Sequence, residues 1–325
     1  MKNINWGIIG CGDVTEVKSG PAFYKLDGSS LHMVMRRNEQ KLKSYAMRHH
    51  VAKYTTDYKE LLADNEIDAV YIATPPNMHC QYTVEAAKHK KAVYVEKPMA
   101  TNIADCEKMM AACRENGVPL YVAYYRRGQE KFKYIKKLMQ DEAIGRVLSY
   151  SHIFSCLPVA FNPERAWLMN PDVAGEGLLF DIGSHMVDIA AFIFGDVKTA
   201  QGASRKSNEN PGISETAGGI LQHQSGVQGC VQLTFCSHVQ KDEFEIIGER
   251  GRVAFAVMSN EPVLVEIDGA QKVVEFAPIE HVQMPYIAEV MEDMRGSGQL
   301  DSTGAYGLQT QRVLEVLGRG SEWKT

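Results

Sequence analysis

Lys97 is the residue whose type and position first suggest chemistry. It follows a run of β-branched and aromatic residues, from Ala92 to Val95, that is typical of a buried strand, and it stands between Glu96 and Pro98. In an open parallel sheet covered by helices on both faces, ligands bind at the carboxyl ends of the strands, so a lysine there would reach a bound substrate. A surface Glu-Lys pair ahead of a proline explains this segment, taken alone, equally well.

A second chemical pattern consists of Asp181, His185 and Asp188. From Leu178 onward the chain is predicted to be helical, which would place Asp181 and His185 on one helix face because they are four residues apart. An aspartate beside a histidine favours the imidazolium and orients the ring, as a general acid or base at neutral pH requires. Such a pair is more often structural. Gly183 argues for function, because a helical glycine costs about 1 kcal/mol relative to alanine and indicates close approach by another segment or a ligand.

The elements that would position these residues alternate between strand and helix from the start of the chain. A short apolar strand, 5–9, is followed by a turn that contains Gly10 and Gly12, with threonine in place of the third glycine of a dinucleotide-binding turn. The first glycine allows the tight turn, and the second lets a pyrophosphate approach the backbone N–H groups of Asp13 and Val14 at a helix start. The turn therefore predicts a nucleotide site.

Arg36 and Arg37 follow the second predicted strand, 31–35. An NAD site would have an acidic residue near this point, about 20 residues beyond the glycines, to bind the ribose 2′-hydroxyl. A guanidinium is suited to a phosphate instead, and no carboxylate is present to repel one. We therefore expect NADP as the cofactor in preference to NAD. The alternative is a pair of solvated arginines at the start of a helix.

Polar groups also follow the predicted buried strand 68–73. The candidate cofactor ligands there are Thr74, Pro75, Asn77 and His79, with Glu96 and Lys97 after the next strand. His79 would either begin the following helix or line the cofactor cleft. The alternation continues to a sixth strand and indicates a doubly wound parallel sheet, a Rossmann domain over 1–124.

Beyond residue 125 the pattern changes to alternation with a period of two, as in 227–236, which is typical of a sheet with one apolar face. Hairpin signals follow at 248–251 and 268–269. The second domain, 125–325, is predicted to contain a mostly antiparallel sheet with a few helices. The other face of that sheet needs cover, so we expect a homodimer or homotetramer formed through it.

Composition limits the classes of partner. The chain has 325 residues, 45% of them hydrophobic, and a formal net charge of −5, which disfavours nucleic acid and anionic membranes. No apolar stretch is expected to reach the roughly 18 residues of a membrane span, so a soluble, cytoplasmic protein is predicted. The seven cysteines form no CxxC pair or Cys/His cluster, and no metal site is expected.

Glu96-Lys97-Pro98, together with Asp181, Gly183, His185 and Asp188, is the pattern by which this sequence resembles the Gfo/Idh/MocA oxidoreductases, the glucose-fructose oxidoreductase and inositol dehydrogenase superfamily. The resemblance spans nearly the whole chain and includes further segments: the glycine turn, Thr74-Pro75-Pro76 with His79, and Ile144-Gly145-Arg146-Val147. Two separated motifs in the right order make it highly specific. One departure is Glu176, where many relatives have glycine, and this concerns loop shape more than chemistry.

The resemblance implies an N-terminal Rossmann domain followed by an α/β domain with a large open sheet. It also implies a nicotinamide cofactor and hydride transfer at a sugar or polyol carbon, with Lys97, Asp181 and His185 around the reacting carbon. His185 is then the expected general base, and Asp181 orients it or contacts a substrate hydroxyl. Lys97, held cationic, would stabilise developing alkoxide charge.

Substrate contacts and two other functions remain open from the sequence. The candidate pocket residues suggest a polar, hydroxyl-rich ligand with some anionic character, although each is equally explained as a fold contact: Lys18, Tyr125, Arg126, Arg165 and Trp167. Some relatives retain their nicotinamide and cleave glycosidic bonds through transient oxidation, without net change in absorbance. A nucleotide-sensing regulator is the third class, and the presence of lysine, aspartate and histidine together argues against it.

Overall fold

The computed structural model describes residues 3–159 and 163–324, and the chain forms two compact units. The first unit contains Met1–Gly128 and Ile279–Leu308, and the second contains Gln129–Pro278 and Gln309–Thr325. Each unit is built on one sheet.

A six-stranded parallel sheet forms the centre of the first unit, with the strand order β3-β2-β1-β4-β5-β6. Its strands are β1 (Ile4–Ile9), β2 (Ser29–Met35), β3 (Lys53–Thr55), β4 (Ala69–Ile72), β5 (Ala92–Val95) and β6 (Leu120–Val122). Every residue of β4, β5 and β6 is buried, because helices cover both faces of the sheet. This arrangement confirms the predicted doubly wound fold.

Three of the described helices of the first unit begin after an asparagine or aspartate whose side chain accepts a hydrogen bond from a backbone N–H of the first turn: Asn38, Asp57 and Asn102. The helices that connect the six strands are α1 (Asp13–Glu16), α2 (Ala22–Lys25), α3 (Glu39–Arg48), α4 (Tyr58–Ala63), α5 (His79–Lys88) and α6 (Ile103–Asn116). The Asn102 side chain accepts a hydrogen bond of 2.8 Å from the backbone N–H of Asp105, and Gly117 ends α6 with a φ of +67°.

A nine-stranded sheet forms the second unit, with the order β14-β13-β12-β11-β7-β10-β9-β8-β15. Its strands are β7 (Val147–Ser155), β8 (Val197–Lys206), β9 (Ser214–His223), β10 (Gln228–Thr234), β11 (Lys241–Gly248), β12 (Gly251–Phe255), β13 (Val263–Ile267), β14 (Ala270–Val274) and β15 (Glu322–Lys324). Only the pairing of β7 with β10 is parallel among its described strand pairs, so the prediction of a mostly antiparallel sheet is confirmed.

Helices pack against one face of this sheet. They include α7 (Glu130–Gln140), α8 (Pro171–Ala174) and α9 (Ser184–Phe194), and a π-helical segment, Leu179–Gly183, leads directly into α9. Met186, Ile189 and Ile193 of α9 belong to the same buried cluster as Val231 and Leu233 of β10.

The last two helices are α10 (Met284–Met294) and α11 (Ala305–Arg319). The sequence-based division places α10 in the second domain, but the structure places it in the first unit. Tyr286, Ile287, Val290 and Met291 form one apolar stripe along α10 and are buried in the cluster that contains Trp6. The stripe shows that α10 must be buried, but its local sequence does not specify which of two cores receives it.

One helical segment, Pro171–Phe194, is long and apolar enough to cross a membrane, with a mean hydropathy of 1.5. This corrects the expectation that no apolar stretch reaches that length. Within the described residues, 78% of the apolar window is buried inside the protein. A core helix buried on all sides has the same composition as a membrane span, and the burial accounts for the apolar character.

Ile287→Ala should destabilise the first unit by about 2–5 kcal/mol, because it removes a fully buried side chain of α10 and leaves a cavity. Denaturant unfolding measures the loss of stability, and amide hydrogen exchange should become faster in β1 and β4. The control is Met47→Ala on α3, where the side chain is 77% exposed and the change should stay within about 0.5 kcal/mol. Equal stabilities of the two variants would contradict the packing of α10.

Candidate functional site

The turn after β1 has the backbone shape that a nucleotide phosphate requires. Gly10 has a φ of +95°, and a Cβ there would lie 2.6 Å from Cγ2 of Thr74. At Gly12, just before α1, the nearest described atom to a Cβ would be the Gly10 carbonyl oxygen at 3.8 Å, so the space is open. The N–H groups of Asp13 and Val14 begin α1 beside this space. The turn thus combines an obligatory glycine with a vacant approach to helix-start donors.

The two arginines after β2 have different surroundings. The Arg36 guanidinium donates to the carbonyl oxygen of Cys11 in the glycine turn, at 2.9 Å, whereas Arg37 is exposed. Arg36 therefore holds the turn in place, and Arg37 is the arginine whose side chain reaches solvent. Burial raises the pKa of Cys11 to about 12, which leaves that thiol neutral and inert at physiological pH.

Thr74 follows β4 at the same sheet edge. Its Oγ1 atom is buried, and within the described residues it has no hydrogen-bond partner. Pro75 and Asn77 of the same loop are exposed. A buried hydroxyl that lacks a partner costs free energy, so Thr74 provides a donor and acceptor that fits a bound nucleotide.

His79 is the first residue of α5, which is one of the two positions that the sequence left open. Its ring is fully buried, with Nε2 2.8 Å from the carbonyl oxygen of Thr74 and Nδ1 3.0 Å from that of Pro98. Burial lowers the pKa of His79. The imidazole therefore connects the loops after β4 and β5, and its predicted contact with the cofactor stays a prediction.

Glu96 anchors the segment that carries Lys97. Its buried carboxylate accepts hydrogen bonds from the Tyr71 hydroxyl at 2.5 Å, the Gln283 side-chain amide at 2.6 Å and the Lys97 backbone N–H at 3.1 Å. Glu96 thus supports the segment that carries Lys97, and its predicted contact with the cofactor stays a prediction. Gln283 was missed in the sequence, since a lone glutamine 187 residues from Glu96 has no local signal. Lys97 itself is half-buried.

The predicted substrate residues of the first unit differ in exposure. Lys18 has an exposed side chain, and its carbonyl oxygen accepts from the Gln283 N–H at 3.0 Å. Tyr125 and Arg126 lie in a short 3₁₀ helix, Tyr125–Gly128, and both are more than nine-tenths buried. The Arg126 guanidinium carbon lies 5.4 Å from the centroid of the Tyr125 ring.

In the second unit, the single helix predicted from Leu178 onward is divided into the π-helical segment and α9, and the shared face of Asp181 and His185 stays a prediction. Asp181 lies in the π-helical segment, where hydrogen bonds run from i to i+5 and each turn is wider than in an α-helix. The Asp181 carboxylate accepts a hydrogen bond from the guanidinium of Arg165, and the two form an ion pair. His185 and Asp188 are both buried in α9.

Gly183 is explained by packing. A Cβ there would lie 3.1 Å from Cδ1 of Leu179 and 3.2 Å from Cδ1 of Leu233 in β10. The close approach inferred from the sequence is therefore real, but the neighbour is the sheet and not a ligand. A π segment inside a helix is often found at a functional site. The π segment, and not Gly183, is therefore the feature that indicates a functional site here.

Two other predicted positions in the second unit lie near this segment in the chain. Trp167 is 38% exposed in the 3₁₀ helix Pro163–Met169. The Glu176 carboxylate pairs with the Lys206 ammonium and accepts from the Ser214 hydroxyl at 2.5 Å. A Cβ at Gly318 would lie 2.4 Å from this carboxylate. Glu176 thus forms a half-buried structural ion pair with Lys206, beside a glycine that makes room for its carboxylate.

One group of residues in the described part of the chain has the types that bind metals: His32, Asp64 and Glu66. The Lys53 ammonium already lies among them, 2.9 Å from Nε2 of His32 and 2.8 Å from a carboxylate oxygen of Glu66. A cation therefore occupies the position between these side chains, and the cluster is a surface ion-pair network.

Comparison with known proteins agrees with this geometry. Residues 4–124 match the family described as an oxidoreductase family with an NAD-binding Rossmann fold, and residues 132–254 match the C-terminal domain of the same family. An oxidoreductase of Formosa agariphila is 38% identical over 291 residues, 89% of this chain and 90% of that protein. A 1,5-anhydro-D-fructose reductase of Ensifer adhaerens is 26% identical, and the match covers 93% of this chain and 92% of that protein.

A solved structure has the same fold. Levoglucosan dehydrogenase, in complex with NADH and levoglucosan, superposes with a TM-score of 0.86 at 20% identity, covering 99% of both chains.

Thr74→Val should weaken NADPH binding roughly 3- to 10-fold, because it removes a hydroxyl that has no partner in the described protein and is available to the nucleotide. Fluorescence titration measures the affinity. Thr83→Val is the matched control: Thr83 on α5 also has a buried hydroxyl without a described partner, and its loss should leave NADPH affinity unchanged. Equal affinities for the two variants would remove Thr74 from the cofactor site.

Proposed function

This chain belongs to the Gfo/Idh/MocA family of oxidoreductases, and from that premise we propose a specific reaction for it. Family membership makes the chain an NAD(P)-dependent oxidoreductase. We infer that it uses NADP to interconvert a carbinol and a carbonyl carbon in a sugar, a polyol or a related cyclic hydroxy compound. Lys97 and His185 act at the reacting oxygen.

The observation that supports this most strongly is the register of three neighbouring strands. Ile9 of β1 pairs with Ile72 of β4, and Ile72 pairs with Val95 of β5. Parallel strands lie about 4.8 Å apart, so the segments that leave these residues start within about 10 Å of one another. They are the glycine turn, the Thr74 loop and the Glu96-Lys97 segment. One dinucleotide lying along this edge can therefore contact all three.

The residues of this edge fit a dinucleotide. The open space at Gly12 and the N–H groups of Asp13 and Val14 would bind the pyrophosphate, and the Thr74 hydroxyl would bind a neighbouring polar group of the cofactor. When bound, the nicotinamide supplies the acceptor or donor of a hydride. The role of the chain is to hold the ring beside Lys97 and to bind the atoms that change charge.

Preference for NADP rests on Arg36 and Arg37. Since Arg36 donates to the glycine turn, Arg37 is the candidate ligand of the 2′-phosphate. Asn38 follows and caps α3, so the end of β2 has no carboxylate at the position where an NAD site needs one. Levoglucosan dehydrogenase binds NADH, so this similar structure does not support NADP. The proposed preference of this chain for NADP therefore depends on the two arginines alone.

The proton that leaves the substrate hydroxyl during oxidation must be accepted as the carbon loses its hydride. We assign His185 as the base that accepts this proton and Lys97 as the cation that stabilises the oxygen while its charge develops. Asp181, whose carboxylate forms an ion pair with Arg165, is suited to bind a substrate hydroxyl. In the reductive direction His185 returns the proton to the same oxygen.

The names of relatives support a carbohydrate substrate. One relative is named for the reduction of 1,5-anhydro-D-fructose, and a similar structure contains levoglucosan. Hydroxyl-rich ligands also suit the polar side chains Arg165 and Asp181. Trp167, 38% exposed, would offer an apolar surface to a sugar ring.

A homodimer or homotetramer is the assembly that we infer, formed through the face of the nine-stranded sheet opposite the helices. Tyr150 and Phe154 of β7 belong to the buried core, whereas Ile153 between them is 40% exposed on the other face. Ile220 of β9 is likewise 56% exposed. The seven cysteines are all free, which supports a reducing, cytoplasmic location.

Lys97→Ala and His185→Ala should each reduce turnover roughly 100-fold or more, because each removes a group that acts on the reacting oxygen. NADPH oxidation and NADP reduction are followed by absorbance with a panel of sugars and polyols, and fluorescence titration should show nearly unchanged NADPH affinity. The control is Lys88→Ala, an exposed lysine of α5 paired with Glu85. Turnover of Lys97→Ala equal to that of the control would refute the assignment.

Arg37→Ala should weaken NADPH binding roughly 10- to 150-fold and leave NADH binding unchanged, because the lost hydrogen bonds involve two charged groups. Arg36→Ala should weaken both cofactors, since it releases the carbonyl of Cys11 in the glycine turn. Titration of both variants with both cofactors separates these effects. The NADP assignment fails if Arg37→Ala binds NADPH as tightly as the unmodified chain does.

A further inference from the structure

A buried glutamine before α10 has a side-chain amide that both donates and accepts hydrogen bonds. The Nε2 of Gln283 donates to Oε1 of Glu96 at 2.6 Å, and its Oε1 accepts from the Tyr94 hydroxyl at 3.0 Å. The reverse orientation would place the amide oxygen against a carboxylate, so the network fixes which atom is which. Gln283 is fully buried, and both polar atoms of its side chain are used.

The Glu96 carboxylate depends on such donors because it is itself buried. Tyr71 is one of them, and burial together with the charge of Glu96 raises the pKa of its hydroxyl well above the ordinary range, which keeps the donor proton in place. The other carboxylate oxygen, Oε2, accepts from the backbone N–H of Lys97. A buried carboxylate that lost one donor would turn towards another, and the cost of leaving it unsatisfied is large.

The backbone of Gln283 is fixed on both sides. Its N–H donates to the carbonyl oxygen of Lys18 at 3.0 Å, and its own carbonyl oxygen accepts from Ile287 N–H at 2.9 Å in the first turn of α10. The amide is therefore presented from a rigid position. Through it, one residue connects the loop after α1, the helix α10 and the segment that ends β5.

We propose that Gln283 is a positioning residue for Lys97 that acts through the carboxylate of Glu96. The amide of Gln283 holds Oε1 of Glu96, and this leaves Oε2 directed at the N–H of Lys97, so the lysine leaves β5 in one defined direction. Without the amide, the Tyr71 hydroxyl remains on Oε1, and the carboxylate can rotate about that contact and move Oε2 away from the Lys97 N–H. The inference rests on the proposed function, which assigns Lys97 to the reacting oxygen.

Gln311 offers a matched comparison within the same chain. It is also a fully buried glutamine, but within the described residues neither polar atom of its side chain has a hydrogen-bond partner. Replacement of Gln311 by leucine therefore removes buried amide atoms without breaking a described hydrogen bond. Gln283→Leu removes the same atoms and breaks the contact with Glu96.

The test compares Gln283→Leu, Gln283→Glu and Gln311→Leu in the full-length protein. Gln283→Leu should lower kcat roughly 10- to 100-fold, as expected for a misplaced catalytic group, with NADPH affinity and KM within about twofold. In the absence of substrate, an acylating reagent labels the Lys97 amine, and mass spectrometry measures the rate. This labelling rate should differ between Gln283→Leu and the unmodified chain. Gln311→Leu should change neither quantity. Thermal unfolding identifies any loss of the folded state.

Gln283→Glu provides the rescue. At low pH this carboxyl keeps a proton and can donate to Glu96 while accepting from Tyr94, so kcat should approach that of the unmodified chain. As the pH rises, the proton is lost, the two carboxylates repel and kcat should fall to that of Gln283→Leu. If Gln283→Leu fails to fold, the pH dependence of kcat in Gln283→Glu still tests the inference.

The inference is overturned if Gln283→Leu keeps its kcat and its Lys97 labelling rate, or if kcat and NADPH affinity fall together in both leucine variants. Failure of the proposed function gives a different result. In that case Lys97→Ala retains turnover, or no sugar or polyol supports NADP reduction, while the labelling rate of Lys97 still reports on Gln283.

Discussion

The backbone ladder that joins β1 to β4 and β4 to β5 is the interaction on which the candidate site depends. Its last rungs are hydrogen bonds of 2.9 Å from Ala73 N–H to the Ile9 carbonyl and from Glu96 N–H to the Ile72 carbonyl. These bonds align three chain segments at one sheet edge. A slip of one residue would turn Lys97 to the opposite face, since side chains alternate along a strand.

The polar groups at this edge are stabilised by being buried together. The strands beneath them are entirely apolar or aromatic, so each polar group at the strand ends must find a partner nearby. Glu96 obtains three donors, and His79 has two carbonyl oxygens within hydrogen-bond distance. The satisfied network around Glu96 is rigid, whereas the hydroxyl of Thr74 and the space at Gly12 are left available. This sheet edge therefore contains two kinds of residue: those that support the loops and those that can bind a cofactor.

The sequence specifies the parts of this arrangement that depend on local patterns. Runs such as Ala92 to Val95 predict buried strands, and the glycines predict the turn, because each feature is set by its own side chains. The π segment was not predictable, since the change in hydrogen bonding around Asp181 has no signature in residue type. Gln283 joins the first unit through a hydrogen bond to a residue 187 positions away, and the pattern of α10 shows only that it must be buried.

A crystal structure with bound NADPH is the most direct test of the claim that one sheet edge holds both the cofactor and Lys97. We expect the pyrophosphate at the N–H groups of Asp13 and Val14, the 2′-phosphate against Arg37 and the nicotinamide ring beside the Lys97 ammonium. A nicotinamide ring out of reach of Lys97, or a pyrophosphate that lies away from Gly12, would contradict the claim.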